Sequence, residues 1–484
     1  MADSIGHLIG GDRVDGRGEL LAVHDPATGG VHARLAEADA SQVDAAVAAA
    51  QAAFPSWSAL APDRRGALLR GLADAVEARL DEFAGAESLD TGKPLALARR
   101  LDIPRAIANL RFFASAAEQF ASESHHGQAG LNYTLRQPLG AVAAISPWNL
   151  PLYLFTWKIA PALAAGNTVV GKPSEVTPLT AALLGELTRS LGWPPGVLNI
   201  VHGRGASTGA DLVGHDGLRA ITFTGSTRVG AGIAVESAAR FRKLSLELGG
   251  KNPTIVFDDA DFDAAVDGAV RAAFSNQGQI CLCGSRILVQ GTVYARFREA
   301  FLARVAALRT GDPLDPASDL GAVVSQAHFD KVLGCIERAS AEGGEILAGG
   351  APVRLAGRCA DGWFLAPTVI EGLAPGCATN QEEIFGPVAT LLPFADEEEA
   401  LAIANGTRYG LACSLWTRDL GRAHGMAERL RCGLVWINTW LQRDLRTPFG
   451  GNGDSGIGRE GGLEAMRFFT DTRNVCVHWG EPRR

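Results

Sequence analysis

Short apolar runs alternating with segments of helical period constrain this 484-residue chain more than any other feature. Runs rich in strand-forming residues at 141–145, 168–171, 197–201, 220–223 and 243–248 come first. Helix-period segments near 177–191 and 227–239 lie among them, and others near 41–53, 63–84 and 97–122 precede them. Strands joined through helices at this spacing predict a parallel α/β sheet with crossovers. A second series at 254–257, 286–290, 368–370, 388–392, 412–416 and 433–437, with helices near 261–274 and 292–309, predicts another such sheet. The chain is too long for one core. It therefore reads as α/β with two domains meeting near Gly249-Gly250 and a cleft at their junction.

Composition narrows the function. With 47% hydrophobic and 20% charged residues it is ordinary for a soluble globular protein. A formal net charge of -8 argues against a nucleic-acid partner. The uncharged run 137–157 contains Pro138, Gly140, Pro147 and Pro151, which would leave backbone groups unsatisfied in lipid. It reads as a buried strand followed by a loop, and no membrane association is expected. The first residues lack the basic and apolar regions of a signal peptide. Eight cysteines with no Cys-x-x-Cys pair and no histidine cluster indicate neither a metal site nor disulfides, so a reduced, cytoplasmic setting is expected. Two further segments, 132–137 and 473–478, alternate in character and read as exposed strands that need partners, pieces of an oligomerisation arm.

Two residues stand out chemically. Cys281 closes Phe274-Ser275-Asn276-Gln277-Gly278-Gln279-Ile280-Cys281, just after a capped helix. Glu247 is the one acid of the apolar strand that ends at Gly249-Gly250. A thiol and a carboxylate at the ends of regular elements, beside glycines, suit covalent acyl chemistry: the thiolate attacks a carbonyl and the carboxylate later activates water. Taken singly, a cysteine is more often a small buried hydrophobe and an acid at a strand end is more often solvated. An unperturbed thiol has a pKa of roughly 8.5, which a helix N-terminus or a nearby cation would lower.

Segments distributed over nearly the whole chain resemble the aldehyde dehydrogenase superfamily. They are Pro147-Trp148-Asn149-Leu150-Pro151, Lys172-Pro173-Ser174-Glu175, Phe223-Thr224-Gly225-Ser226, Glu247-Leu248-Gly249-Gly250-Lys251 and Gly278-Gln279-Ile280-Cys281, extended by Glu383-Ile384-Phe385-Gly386-Pro387 and Pro448-Phe449-Gly450-Gly451. The resemblance implies a Rossmann-type NAD-binding domain (1–120 and 139–249), an α/β catalytic domain (250–450) and a small β oligomerisation arm (121–138 and 468–484), assembled as a dimer or tetramer. It implies Cys281 as nucleophile, Glu247 as the base that hydrolyses the thioester, and an oxyanion held by the Asn149 amide and the Cys281 N–H. Glu247 separates the chain from the coenzyme-A-acylating branch. For the cofactor it implies Lys172 and Glu175 toward the adenosine ribose, where a carboxylate favours NAD over NADP, with Ser174 a further cofactor contact. Gly225 and Ser226 would face the pyrophosphate at a helix start. Glu383 and Phe385 would hold the nicotinamide ribose and ring, and Trp148 and Leu248 are further implied cofactor contacts.

The substrate reading rests on two stretches, Asp102-Ile103-Pro104-Arg105 and Asn438-Thr439-Trp440-Leu441-Gln442-Arg443-Asp444-Leu445-Arg446. They resemble the 2-aminomuconic and 2-hydroxymuconic semialdehyde dehydrogenases, which implies that Arg105 and Arg443 grip a substrate carboxylate, while Arg446 pairs with Asp444 or backbone. Guanidinium forks suit carboxylates because two parallel charge-assisted bonds fix position and orientation. The chain departs from the family at Gly453, usually lysine, and from the muconic enzymes at Ser226 and Gln442. Oxidation of betaine aldehyde, succinic semialdehyde or an aromatic aldehyde stays open as an alternative. So do a binding protein that has lost the chemistry and a cofactor-free cysteine hydrolase.

Overall fold

The structure is a computed structural model that describes residues 3–480. The part of the tail reading that falls on 481–484 lies outside the described residues. Five parallel strands form the centre of the first sheet, in the spatial order Lys243–Glu247, Ala220–Thr224, Ala141–Ile145, Thr168–Lys172 and Leu198–Ile200, with antiparallel strands at both edges. These strands coincide closely with the runs read from sequence. Helices pack on both faces, so a strand here is apolar on both sides and reads as a continuous apolar run. The expected α/β class with crossovers is borne out.

The order of connection decides where a ligand can sit. From Ala141–Ile145 the chain moves outward through Thr168–Lys172 to Leu198–Ile200, then returns to place Ala220–Thr224 on the other side of Ala141–Ile145. The sheet therefore has its topological switch point between Ala141–Ile145 and Ala220–Thr224. Loops leaving the carboxyl ends of those two strands diverge and leave a crevice, the usual ligand position in open α/β sheets. The loops are Ser146-Pro147-Trp148-Asn149-Leu150 and Gly225-Ser226.

The second sheet has seven strands, with Pro253–Val256 central between Arg286–Gln290 and Ala412–Trp416 and one antiparallel edge at Glu345–Ala348. Three strands form a separate small sheet: Gly130–Pro138 pairs antiparallel with Thr470–His478 over nine residues, and Ser124–His126 covers its other side. The two segments read as exposed strands are thus each other's partners. No helix among the described residues is long and apolar enough to cross a membrane.

Three local readings need correction. The run 137–157 does not end in a loop, because a helix, Pro151–Ala164, starts within it and every one of its residues is buried. A helix buried all round carries no amphipathic period to read, and Pro151 at its first turn is a start signal. The single helix expected near 63–84 is broken at Arg79 into Pro62–Ala78 and Leu80–Thr91. The helix expected near 97–122 opens with a π-helical turn, Ala98–Asp102, before Ile103–Gln119. Gly453, where the family usually carries lysine, has φ +57, and a Cβ there would stand 2.8 Å from the Arg408 carbonyl oxygen. The backbone at that point favours glycine.

Candidate active site

Cys281 is presented by a loop whose conformation its own polar side chains enforce. Asn276 and Gln277 have φ of 53° and 56°, and Gly278 follows with φ 68°. Such non-glycine conformations need outside support. Asn276 supplies it by donating Nδ2 to the carbonyls of Asn149 and Gln279, each at 3.2 Å. The Gln277 amide donates to the Ala322 carbonyl at 2.8 Å, and Gln279 Oε1 accepts from Val324 N. At Gly278 a Cβ would stand 2.0 Å from the Gly386 carbonyl oxygen, so the loop lies directly on the segment that follows Phe385. Asn252 then donates to the carbonyls of Cys281 and Cys283, at 2.7 and 3.0 Å.

The half-buried Cys281 belongs to two cavities. One, of about 250 Å³, lies at the switch-point crevice and is lined by Trp148, Asn149, Thr224, Gly225, Ser226 and Leu248 from the first sheet and by Glu383, Phe385, His328 and Lys331 from the second. The other, of about 130 Å³, is lined by Arg100, Asp102, Arg105, Tyr153, Trp157, Trp440, Arg443 and Phe449, among others. The sulfur is the hinge between them.

Burial pushes the Cys281 thiol well above its ordinary value; Glu383 and Glu247 add to that, and Arg443 opposes it. The lowering by a cation or helix start considered from sequence does not prevail. Asn149 is buried and donates Nδ2 to the Gln279 carbonyl at 2.8 Å, beside the cysteine loop. Glu247, at the end of its strand, is set back from both cavities against Gly450, where a Cβ would stand 2.8 Å from Glu247 Oε1. Neither of its carboxylate oxygens has a hydrogen-bond partner among the described residues. Burial, then the neighbouring Glu460, raises Glu247 well above the usual carboxylate range, against the pull of Lys158, Arg459 and Arg443. Lys158 holds Glu460 Oε1 at 2.8 Å, and Thr222 Oγ1 accepts from that ammonium while donating to the same carboxylate.

Around the larger cavity the residues expected from sequence to meet the nicotinamide riboside converge. Phe385, at φ 62°, stands edge-on to Trp148 with ring centroids 5.2 Å apart. Glu383 accepts from the Gly250 N–H at 3.0 Å, and a Cβ on Gly249 would stand only 2.2 Å from its Oε2. Ser226 caps the helix Thr227–Ala238. Lys172, Ser174 and Glu175 lie elsewhere, at the end of the neighbouring strand Thr168–Lys172, where Lys172 Nζ is 3.3 Å from Glu175 Oε2. Burial lowers the Lys172 ammonium.

Around the smaller cavity, Arg443 stacks over Phe449 and Trp157, its guanidinium carbon 4.2 and 5.2 Å from the ring centroids. Arg105 lies 5.6 Å from the Tyr153 ring centroid. Among the described residues neither guanidinium has a carboxylate within salt-bridge reach, and burial together with Arg443 weakens the hold of Arg105 on its proton. Arg446 pairs with Asp444 at 2.6 Å, as its spacing suggested, and points to solvent. Gln442 is exposed and lines neither cavity.

Thr224, His328, Lys331 and Arg100 were missed from sequence. Thr224 adjoins the quoted Gly225, a usable signal. His328 and Lys331 come from a helix, Gln326–Ala341, distant in sequence and without a motif. Arg100 reaches the cavity through the π-helical turn, which no residue pattern announced.

The profile described as "Aldehyde dehydrogenase family" matches residues 14–475. The chain belongs to the aldehyde dehydrogenase family. It is 50% identical over 463 residues to the 2-aminomuconic semialdehyde dehydrogenase of Danio rerio, covering 95% of each chain. To the 2-hydroxymuconic semialdehyde dehydrogenase of Pseudomonas sp. (strain CF600) it is 46% identical, covering 98% of this chain and 99% of that one. The solved structure of PnpE from Pseudomonas sp. WBC-3 in complex with nicotinamide adenine dinucleotide superposes with a TM-score of 0.95 at 44% identity, over 99% and 98% of the two chains. The enzyme is an NAD-dependent oxidoreductase, and its residues fit that cofactor. Thr224 Oγ1 is buried at the crevice with no partner among the described residues. The helix start at Ser226 opens on the same crevice, and helix starts suit phosphate groups; Glu383 packs directly on Gly249 at its edge.

Proposed function

We propose that the enzyme oxidises a six-carbon unsaturated semialdehyde bearing a carboxylate, of the 2-aminomuconic or 2-hydroxymuconic type, to the acid. The observation that carries this reading is the pair of unneutralised guanidinium groups, Arg105 and Arg443, in the cavity on the substrate side of Cys281. Two half-buried cations with no carboxylate in salt-bridge reach repel each other, and a carboxylate between them removes that cost and forms charge-assisted bonds. Muconic semialdehyde dehydrogenases among the relatives support the same class.

In this reading the aldehyde enters with its acid end between the arginines and its carbonyl at Cys281. The Cys281 thiol gives up its proton to water, the thiolate attacks the carbonyl carbon, and the oxyanion receives the Asn149 amide, turned from the Gln279 carbonyl, together with the Cys281 N–H. Bound NAD supplies the hydride acceptor. Glu247 swings from Gly450 toward the resulting thioester and takes a proton from water, which releases the acid and returns Cys281. Trp148, Leu248, Glu383 and Phe385 hold the nicotinamide riboside, Gly225 and Ser226 the pyrophosphate, and Lys172, Ser174 and Glu175 the adenosine ribose. The Glu175 carboxylate repels a 2′-phosphate and sets the preference for NAD over NADP.

The same reading keeps the division into an NAD-binding part (1–120 and 139–249), a catalytic part (250–450) and an arm (121–138 and 468–484). The long edge strand Thr470–His478, with Tyr133, Leu135 and Val477 exposed on its sheet, supports assembly of a dimer or tetramer. Eight free thiols support a cytoplasmic location.

The test is kcat/KM, followed at the NADH absorbance, for muconic semialdehydes against acetaldehyde, benzaldehyde, betaine aldehyde and succinic semialdehyde. Equal or better values on uncharged aldehydes reject the substrate assignment. Arg443→Ala is expected to raise KM for the acidic substrate about 10–100-fold, the worth of a charged hydrogen bond or two, and to leave KM for benzaldehyde within about threefold. Arg105→Ala follows the same pattern with a smaller change.

A further inference from the structure

Behind the site lies a buried ammonium that the reaction as written does not use. Lys93 is wholly buried, directly after Gly92, whose φ of 74° ends the helix Leu80–Thr91. Its Nζ donates to Asp102 Oδ2 at 2.6 Å, to the Asn149 carbonyl at 3.1 Å and to Glu87 Oε1 at 3.3 Å. Three donors meet three acceptors, so the ammonium is fully satisfied. Each acceptor belongs to a different part of the site. The Asn149 carbonyl belongs to the residue whose amide reaches the cysteine loop. Asp102 lines the substrate cavity at the end of the π-helical turn, immediately before the helix that carries Arg105. Glu87, through its other oxygen, accepts from the Leu152 N–H at 3.3 Å at the start of the helix after Asn149.

Stability is a poor reason for such a cluster. Removing a lysine and two carboxylates from water costs so much that well-packed apolar residues often serve a fold as well or better. The cluster is also unbalanced, with one cation against two carboxylates, and burial raises Glu87 to about 7. What it does provide is a fixed geometry between elements far apart in the chain, since a buried ammonium with three hydrogen bonds holds all three partners at once.

We propose that Lys93 is a positioning residue for the oxidation, holding the Asn149 backbone so that its amide meets the developing oxyanion and, through Asp102, setting the helix start that bears Arg105. This rests on the reading of Asn149 as an oxyanion donor. An exposed lysine could not do this, because its ammonium would exchange partners with water, whereas Lys93 has no such competitor.

The experiment is a double-mutant cycle on the full-length enzyme at saturating NAD, with 2-hydroxymuconic semialdehyde and benzaldehyde as substrates. Lys93→Met is made alone and as the pair Lys93→Met/Asp102→Asn, which keeps the net charge of the cluster if the single variant folds poorly. Each is made with Asn149 intact and with Asn149→Ala. Asn149→Ala alone lowers kcat roughly 10²–10³-fold, the effect of losing one oxyanion donor. With Asn149 intact, the Lys93 variants are expected to lower kcat about tenfold or more on both substrates; in the Asn149→Ala background they lower it less than about threefold, because residues acting as a unit are not additive. The same fold-loss in both backgrounds, or no loss in either, overturns the role of Lys93 and leaves the function untouched. Unchanged kcat in Asn149→Ala overturns the reading of Asn149 itself.

Discussion

Cys281→Ala enzyme, given NAD and a muconic semialdehyde, forms no NADH above background, a loss of at least ~10⁴-fold of the kind seen when a nucleophile is deleted. No other group can stand in. Cys283 is buried, is absent from both cavities and directs its sulfur 4.0 Å from the Ser275 carbonyl oxygen. His328 shares the larger cavity, but its Nε2 is engaged at 2.7 Å by the Phe385 carbonyl, and burial holds it down to about 4. The substitution removes one half-buried atom from a loop fixed by Asn252, Asn276 and Gln277, so NAD binding, read by protein fluorescence, stays within about twofold while turnover disappears. Retention of even a tenth of the activity would sink the covalent mechanism. The pH dependence has a definite sign as well. Burial raises the thiol, so its ionised fraction grows with pH through neutrality and beyond, and the pre-steady-state acylation rate of the wild type climbs with it.

Glu247→Gln separates the two halves of the reaction. Gln keeps the size and burial of the side chain and removes the base. The first turnover is expected to yield about one NADH per active site in a burst, followed by steady-state turnover slowed ~10²–10⁴-fold, the usual contribution of a general base. Rapid-quench mass measurement should find the acyl group on Cys281. In the wild type, steady-state turnover limited by hydrolysis rises with pH, because Glu247 is held above the ordinary carboxylate range, first by burial and then by Glu460, and acts only when ionised. The variant lacks that rising limb. Unchanged kcat with no burst would remove Glu247 from the mechanism.

Much of this was legible because it is local. A strand covered on both faces leaves an apolar run of its own length, and Ala141–Ile145 shows it. Asp444 and Arg446 are two residues apart and pair. The motif glycines read clearly because close approach leaves no alternative: Gly278 lies on the Gly386 carbonyl and Gly249 against Glu383. Readings failed where local pattern and tertiary environment part company. Pro151–Ala164 is buried on every side and has no polar face to give it a period. The break at Arg79 leaves the apolar spacing on either side undisturbed. The π-helical turn at 98–102 shifts the register and carries Arg100 to the cavity that Arg105 lines.

Residue identity and spacing along the chain thus determined the α/β class, the order of its sheets and the thiol, carboxylate and amide that the proposed chemistry uses, since covalent neighbours and short periods carry that information. Only the folded chain decided that Cys281 sits between two cavities, that Arg105 and Arg443 line one of them with no carboxylate in salt-bridge reach, and that Lys93 holds Asn149 and Asp102 together. Those relations join residues tens to hundreds of positions apart. They arise from sheet order and from which buried polar groups find partners, and neither is written in any single stretch of sequence.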